Sequence, residues 1–383
     1  MGKNRAWLWA SVLFVVIGMI LIGVGVSDST REQRAQNMPP FTATAERLIP
    51  NRTVMALTPP QTITTAPSRQ APTASSSEPS LYQGRTRWGV GVAIGPISRY
   101  NVSALRLGWY LDWNTNLQPS RPDNAEYAQM VRLVNGELFP ATDKLTLIAR
   151  ANPGSLWLIG NEPDVMWQDN TDPPTYARLY AQAYQAIKSG DPTAQVAIGG
   201  VSQPTPLRVK YLEAILASYR QQFNIEMPID VWNIHNFILR EERGAWGVDI
   251  PPGMSEDRGI LYAVDDSGNL AAFQKQIVDF RRWMSEHGYR NYPLIVSEYG
   301  IPMPEDYGFP PERVAAFLID TFDFLLGAKD PALGYSADNN RLVQRWCWYS
   351  LDDTNYATGR LFDRANGKMT EFGKTWQENA ARH

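Results

Sequence analysis

The sequence predicts an α/β chain whose main domain is a (β/α)8 TIM barrel, and three observations carry that expectation. Apolar runs of strand length recur eight times downstream of Arg87. Between the later runs lie amphipathic segments whose apolar residues return with a helical period. Two runs, Trp157-Leu158-Ile159-Gly160-Asn161-Glu162 and Leu294-Ile295-Val296-Ser297-Glu298, end abruptly on a carboxylate with Pro or Gly close behind. That is the pattern of a buried barrel strand whose last residue emerges at the mouth.

In chain order the expected strands are Trp88 to Ala93, Ala104 to Leu111, Glu126 to Val134, Leu156 to Glu162, Gln195 to Val201, Asp230 to Phe237, Leu294 to Glu298 and Leu342 to Ser350. The expected helices are Pro174 to Ser189, Leu207 to Phe223, Leu270 to His287 and Pro311 to Leu326. Pro173-Pro174 and Pro310-Pro311 open two of them, where a first turn has no use for the missing N–H. Strands alternating with helices favour a barrel over a sandwich. The first units are the weakest part of the pattern, because Ile97 to Ser103 is too short for a crossover helix. The long connection Ile238 to Asn269, with Trp246 and Pro251-Pro252, falls on the mouth side, where it would wall a cleft.

Upstream of the barrel the chain divides into residues 1–27 and 28–84. Ala6 to Val26 carries no charge and has Ser11 as its only polar side chain, a length sufficient to cross a hydrocarbon core of about 30 Å as a helix. Lys3 and Arg5 precede it, Asp28 follows it, and Trp7 and Trp9 sit at interfacial depth, so the N-terminus is expected in the cytoplasm and the remainder outside. A cleaved signal peptide is the competing reading. The lack of a convincing Ala-x-Ala site at the end of the run and the length of the run favour a retained single-pass membrane anchor. Between Leu57 and Ser80, Pro, Ser and Thr supply 15 of 24 positions; such a segment is expected to be a disordered stalk holding residues 85–383 away from the membrane.

A net charge of −3 gives no basic footprint for nucleic acid. The single Cys347 excludes an intrachain disulfide, and three histidines without ligand spacing argue against a protein-built zinc site. No cofactor or metal is expected. Thirteen tryptophans are unusual; eleven lie downstream of Arg87, where sugar rings stack on such side chains and cores also use them.

Two carboxylates delivered from separate strand ends to one rim are what glycoside hydrolysis needs, one to protonate the leaving oxygen and one to meet the oxocarbenium centre. Asn161-Glu162-Pro163 after a hydrophobic strand, followed downstream by Ser297-Glu298-Tyr299-Gly300, resembles clan A of the glycoside hydrolases, retaining enzymes on a (β/α)8 barrel. The interval between the motifs leaves room for three βα units and a long loop. The resemblance implies Glu162 as acid/base on the fourth strand, Glu298 as nucleophile on the seventh, and a hydrogen bond from Asn161 to the sugar 2-hydroxyl. Partial burial and a neighbouring carboxylate would help Glu162 keep its proton.

Further site residues follow from alternation along the strands, read beside the same resemblance. In Ala104 to Tyr110, Arg106, Gly108 and Tyr110 share a face. An arginine inside an apolar strand must be paired if it points inward, so Arg106 is the expected cation beside Glu298. His235, in Val231 to Phe237, stands where clan A members often show His-x-Tyr; Phe237 replaces the tyrosine, and Tyr299 or Tyr110 is left to donate to the nucleophile. Clan A barrels commonly floor the sugar site with an eighth-strand Trp, which implies Trp348 here and turns Cys347 toward the helices. Trp109, Trp113, Trp167 and Trp246 lie near expected strand ends or in mouth loops, as sugar platforms or as core.

The expected activity is retaining hydrolysis of a β-linked glycan, a polysaccharide or oligosaccharide, outside the cytoplasm. A transglycosylase using the same carboxylates and a non-catalytic carbohydrate-binding barrel are the alternatives, the second disfavoured because both carboxylates are present.

Overall fold

The computed structural model describes residues 84–383. Among them eight parallel strands form a closed ring: β1 (Trp88–Gly91), β2 (Trp109–Leu111), β3 (Glu126–Tyr127 and, after Ala128, Gln129–Val134), β4 (Leu156–Asn161), β5 (Gln195–Gly200), β6 (Trp232–His235), β7 (Leu294–Tyr299) and β8 (Arg345–Trp348). Each pairs with the next, β5 meeting β6 through the parallel bridges Ala197↔Val231 and Val201↔Ile234. Trp88 of β1 pairs with Trp346 of β8 and closes the ring.

Alternation along each strand divides the apolar residues between two cores. Trp109, Leu111, Ala128, Met130, Leu156, Leu158, Ala197, Val231, Ile295 and Cys347 fill the barrel interior. Trp88, Val90, Tyr110, Tyr127, Trp157, Ile159, Trp232, Ile234, Trp346 and Trp348 pack outward against the helices. On β1 the interior positions are Gly89 and Gly91. A Cβ at Gly89 would stand 2.4 Å from the carbonyl oxygen of Trp109 and 2.8 Å from Sγ of Cys347, so glycine there admits the bulky neighbours.

Six helices surround the described barrel: α1 (Thr142–Ala151), α2 (Pro173–Gly190), α3 (Pro206–Phe223), α4 (Leu270–Glu286), α5 (Pro311–Gly327) and α6 (Glu371–Arg382). Asp172 caps α2 by accepting from the Thr175 N–H, Asn269 caps α4 through Ala272, and Thr370 caps α6 through Gly373. The strand-to-strand connections after β1 and β2 hold only short 3-10 turns, and α6 packs beside the first of these, with Nε1 of Trp376 donating to the Leu105 carbonyl.

Three sequence expectations change. The second strand is Trp109–Leu111, not Ala104 to Leu111: Ser103–Leu105 is a 3-10 turn and Arg106 has φ of +51°, which no strand tolerates. Helices α1 and α6 had no counterpart in the sequence reading. Beyond Val134, β3 turns back through Asn135-Gly136 into an antiparallel strand, Glu137–Phe139, that rises from the mouth. Among the described residues no helix is long and apolar enough to cross a membrane; the expected anchor Ala6 to Val26 and the stalk 28–84 lie outside the described residues, save Gly84.

Candidate active site

Glu162 follows the last residue of β4, and Glu298 is the penultimate residue of β7. Both are buried, 5% and 2% exposed. Gly160 (φ +93°) and Glu162 (φ +41°) bend the end of β4 over the barrel mouth. A register shift between Ile234 and His235 brings His235 level with Glu298.

His235 stands between the two carboxylates. Its Nδ1 lies 2.9 Å from Oε1 of Glu162 and its Nε2 lies 3.4 Å from Oε1 of Glu298. The ring is fully buried, and Gly200 of β5 makes its room: a Cβ there would sit 2.5 Å from Cδ2 of His235. A carboxylate oxygen of each Glu and a ring nitrogen of His235 all fall within 4.8 Å of one another. Burial opposes a charge on this imidazole, but the charges of Glu298 and Glu162 outweigh it and raise its pKa above 6.5.

Glu298 receives the indole N–H of Trp113 on Oε1 at 2.6 Å. Trp113 follows β2 with φ of +59°, and Gly91 provides the space for its ring, since a Cβ there would lie 2.7 Å from Cη2. Burial pushes the Glu298 carboxyl up to about 7; His235, Trp113 and Arg132 hold it down, and Glu162 adds to the rise.

Arg132 also acts on this carboxylate, after His235 and Trp113. It shares the inward face of β3 with Met130, donates from Nε to Oδ1 of Asp169 at 2.7 Å, and approaches Oε1 of Gln168. Asp169 in turn accepts the N–H groups of Leu133 and Asn161 through Oδ2, fixing the end of β4 to β3. Asn161 itself is buried, donating from Nδ2 to Oε1 of Gln168 at 3.2 Å and leaving Oδ1 without a partner.

Above the carboxylates an aromatic wall forms from Trp113, Phe237, Tyr349 and Tyr356, all in the interior cluster. Tyr349 contacts the rings of Trp113 at 5.7 Å, Tyr356 at 6.3 Å and Phe237 at 6.4 Å, and donates its hydroxyl to Asp353. The mouth loops after β4 and β6 are tied by Arg208 near the start of α3. It is fully buried, donates from Nε to Asp164 at 2.6 Å and from Nη1 to Glu241, and reaches the carbonyls of Val248 and Asp249. The long connection Ile238 to Asn269 is therefore pinned to the mouth, with a 3-10 turn at Val264–Gly268.

Of the seven residues nominated from sequence, Glu162, Glu298, Asn161 and His235 converge and three do not. Arg106 is exposed and donates to the carbonyl oxygen of Ala380 in α6, because its left-handed backbone removes it from the strand alternation. Tyr110 faces outward, 5.1 Å from the ring of Tyr127, with its hydroxyl on the Ser120 carbonyl. Trp348 also faces outward, packed on Phe372 and Tyr299 and donating to the Gly359 carbonyl. The interior positions at the end of β8 are Cys347 and Tyr349, so the expected orientation of Cys347 toward the helices is reversed. Tyr299 lies in the outer core, which leaves Trp113 as the donor to Glu298. Of the residues the sequence reading passed over, Arg132 carried the signal applied to Arg106, a lone cation in an apolar strand.

Glu162, His235 and Glu298 are also the one group among the described residues whose donor atoms could meet a metal ion. A metal-bound imidazole gives one nitrogen to the ion and the other to a supporting acceptor. Here each nitrogen faces a carboxylate, so the arrangement fits a hydrogen-bonded acid pair better than an ion's ligand set.

No protein-family model matches the chain, and no curated protein matches it in sequence. Its barrel is similar to solved glycoside hydrolase structures. A GH128 subgroup II endo-β-1,3-glucanase from Sorangium cellulosum is 17% identical with a TM-score of 0.51, over 76% of this chain and 98% of that one. A GH128 subgroup I endo-β-1,3-glucanase from Amycolatopsis mediterranei is 16% identical with a TM-score of 0.53, over 76% and 99%. A GH128 subgroup III curdlan-specific exo-β-1,3-glucanase from Blastomyces gilchristii is 18% identical with a TM-score of 0.50, over 77% and 98%. The likeness is one of fold, and that fold is the TIM barrel expected from the sequence.

Proposed function

We propose that the chain is a retaining glycoside hydrolase acting on a β-linked glucan, with β-1,3-glucan as the substrate class. The observation that carries the reading is the pair of buried carboxylates from β4 and β7, with oxygens within 4.8 Å of one another and His235 between them. Double displacement uses carboxyl groups about 5–5.5 Å apart, whereas inversion needs about 6.5–9.5 Å to admit a water. The β-1,3-linkage is taken from the activities named for the structural neighbours.

In the first step a Glu298 oxygen attacks the anomeric carbon, the bond to the leaving oxygen breaks, and Glu162 gives that oxygen its proton. In the second, Glu162 takes a proton from water, the water oxygen attacks the same carbon, and the ester bond to Glu298 breaks. Trp113 and Arg132 favour the ionised nucleophile that the first step requires. The site chemistry uses no cofactor.

We further propose a membrane-tethered, extracytoplasmic enzyme, with residues 1–27 as anchor and 28–84 as stalk. Retention in the membrane pellet after an alkaline carbonate wash supports the anchor, and release into the medium with a shortened N-terminus overturns it.

The deciding experiment is hydrolysis of laminari-oligosaccharides by the full-length chain, followed by NMR of the first anomer formed. A β-anomer supports the reading, and an α-anomer or no cleavage of any β-glucan overturns it. Glu298→Ala should abolish turnover. Glu162→Ala should keep activity on aryl glycosides with good leaving groups and, with azide, release the β-glycosyl azide.

A further inference from the structure

The segment after β8 carries Tyr356 into the barrel mouth. Its side chain is 5% exposed, and its hydroxyl is buried without a hydrogen-bond partner. Of the tyrosines around the strand ends, Tyr349 pairs its hydroxyl with Asp353, Tyr127 with Asp112 and Tyr100 with Asp352, while the hydroxyl of Tyr299, also without a partner, lies in the outer core rather than among the interior residues. The Tyr356 ring belongs to the interior cluster with Trp113 and Phe237, beside Tyr349; burial pushes its phenol up, and the charges of Asp353 and Glu162 add to the rise.

The position of this residue is fixed from several directions. Asp353 accepts the Tyr349 hydroxyl through Oδ2 and the Asn355 N–H through Oδ1, while its own N–H donates to Oγ of Ser350. On the far side, Trp348 Nε1 holds the Gly359 carbonyl. A phenylalanine would fill the same space without an unpaired O–H, and leaving such a group unmade costs stability. Within the carboxylate site, Oδ1 of Asn161 and Nε2 of His235 are likewise buried without a hydrogen bond.

We propose that Tyr356 is a glycan-binding residue, its phenol O–H donating to an oxygen of the sugar unit lying against Glu162. The inference rests on the glucan hydrolase reading and adds to it a specific polar contact from the segment after β8. A bound sugar supplies the acceptor that the protein does not, so the hydroxyl discriminates between sugars that carry an oxygen at that position and sugars that lack it.

The test is Tyr356→Phe in the full-length chain, with kcat/KM measured on laminarihexaose and on a set of monodeoxy glucosides, and with thermal unfolding measured in parallel. The expected result is a fall in kcat/KM of about tenfold to a hundredfold with a Tm equal to or above that of the wild type. One deoxy position should cost the wild type a similar factor and cost Tyr356→Phe almost nothing. A lowered Tm with no deoxy position that separates the two proteins would make Tyr356 a packing residue and overturn the proposal. Wild type and Tyr356→Phe cleaving laminarihexaose equally well would overturn the Tyr356 assignment alone. A wild type that neither cleaves nor binds β-glucan would remove the underlying reading and this one with it.

Discussion

The indole N–H of Trp113 lies 2.6 Å from Oε1 of Glu298, and the absence of a side chain at Gly91 is what lets it reach. That contact supplies the hydrogen bond for which Phe237 has no hydroxyl. It favours the ionised carboxylate, against the burial that pushes Glu298 up to about 7. Trp113→Phe keeps an aromatic ring and removes the donor, a charge-assisted bond worth about 1.5–3 kcal/mol. The acidic limb of the pH profile of kcat/KM should therefore move to higher pH, with activity at pH 6 falling more than activity at pH 8. An unmoved limb in a folded variant would detach Trp113 from the ionisation of Glu298.

Two arginines give a paired prediction. Arg132 acts on Glu298 and is salt-bridged to the buried Asp169, whereas Arg106 is bonded to a carbonyl of α6. Arg132→Met should raise the acidic limb and also lower stability, by about 3–5 kcal/mol, because it leaves Asp169 buried without its cation. Arg132→Lys keeps the charge and should recover the limb in part. Arg106→Met should leave the limb where it is and cost about 1 kcal/mol, the worth of one hydrogen bond to a carbonyl. Kinetic profiles together with denaturant unfolding separate the two residues, and a shift in the Arg106 variant would restore it to the site.

The same ionisations set a stability profile. Glu298 rises from 4.5 to about 7 on folding, so between those values the folded state holds a proton that the unfolded chain has released. Stability then declines as pH rises through that window. His235 acts in the same direction: raised above 6.5, its cation stabilises the fold below that value and the contribution is lost as pH rises through its folded pKa. The Tm should fall from pH 5 to pH 8, and Glu298→Gln should flatten the part between 4.5 and 7. A wild-type Tm that climbs over that range would contradict this account of the site.

How much of this was legible in the sequence depends on what each strand exposes. The runs ending in Glu162 and Glu298 were readable because an apolar strand that stops on a carboxylate has one natural place, the barrel mouth. Helices α2 and α5 were readable from proline pairs at their first turns. On β8, alternation could not choose a face: Trp346, Cys347, Trp348 and Tyr349 are all buried, since a barrel strand is covered on both sides. The choice of the face that carries Trp348 over the face that carries Cys347 is therefore undetermined by polarity. Arg106 failed for another reason, a left-handed residue that breaks the alternation and that nothing in Ala104 to Tyr110 signals. Trp113 is visible in the sequence as an aromatic near a strand end, but its role depends on Gly91, a partner more than twenty positions away.

Gly200 offers the sharpest steric test of the bridge between the carboxylates. Its backbone has no left-handed requirement, so alanine is conformationally acceptable there and only space decides. A Cβ would stand 2.5 Å from Cδ2 and 2.7 Å from Nε2 of His235, and the ring lies in a closed interior with Phe237 at 6.1 Å. Gly200→Ala must therefore displace the imidazole from Glu162, from Glu298 or from both, at an overpacking cost of about 1–3 kcal/mol. Either displacement removes a positive partner from a buried carboxylate, so the acidic limb of kcat/KM should rise and kcat should fall, as in His235→Asn. The double variant Gly200→Ala with His235→Asn should show little further loss of activity, because the alanine acts through the ring that is already gone. Additive losses in that cycle would mean that Gly200 serves the site by some route other than His235.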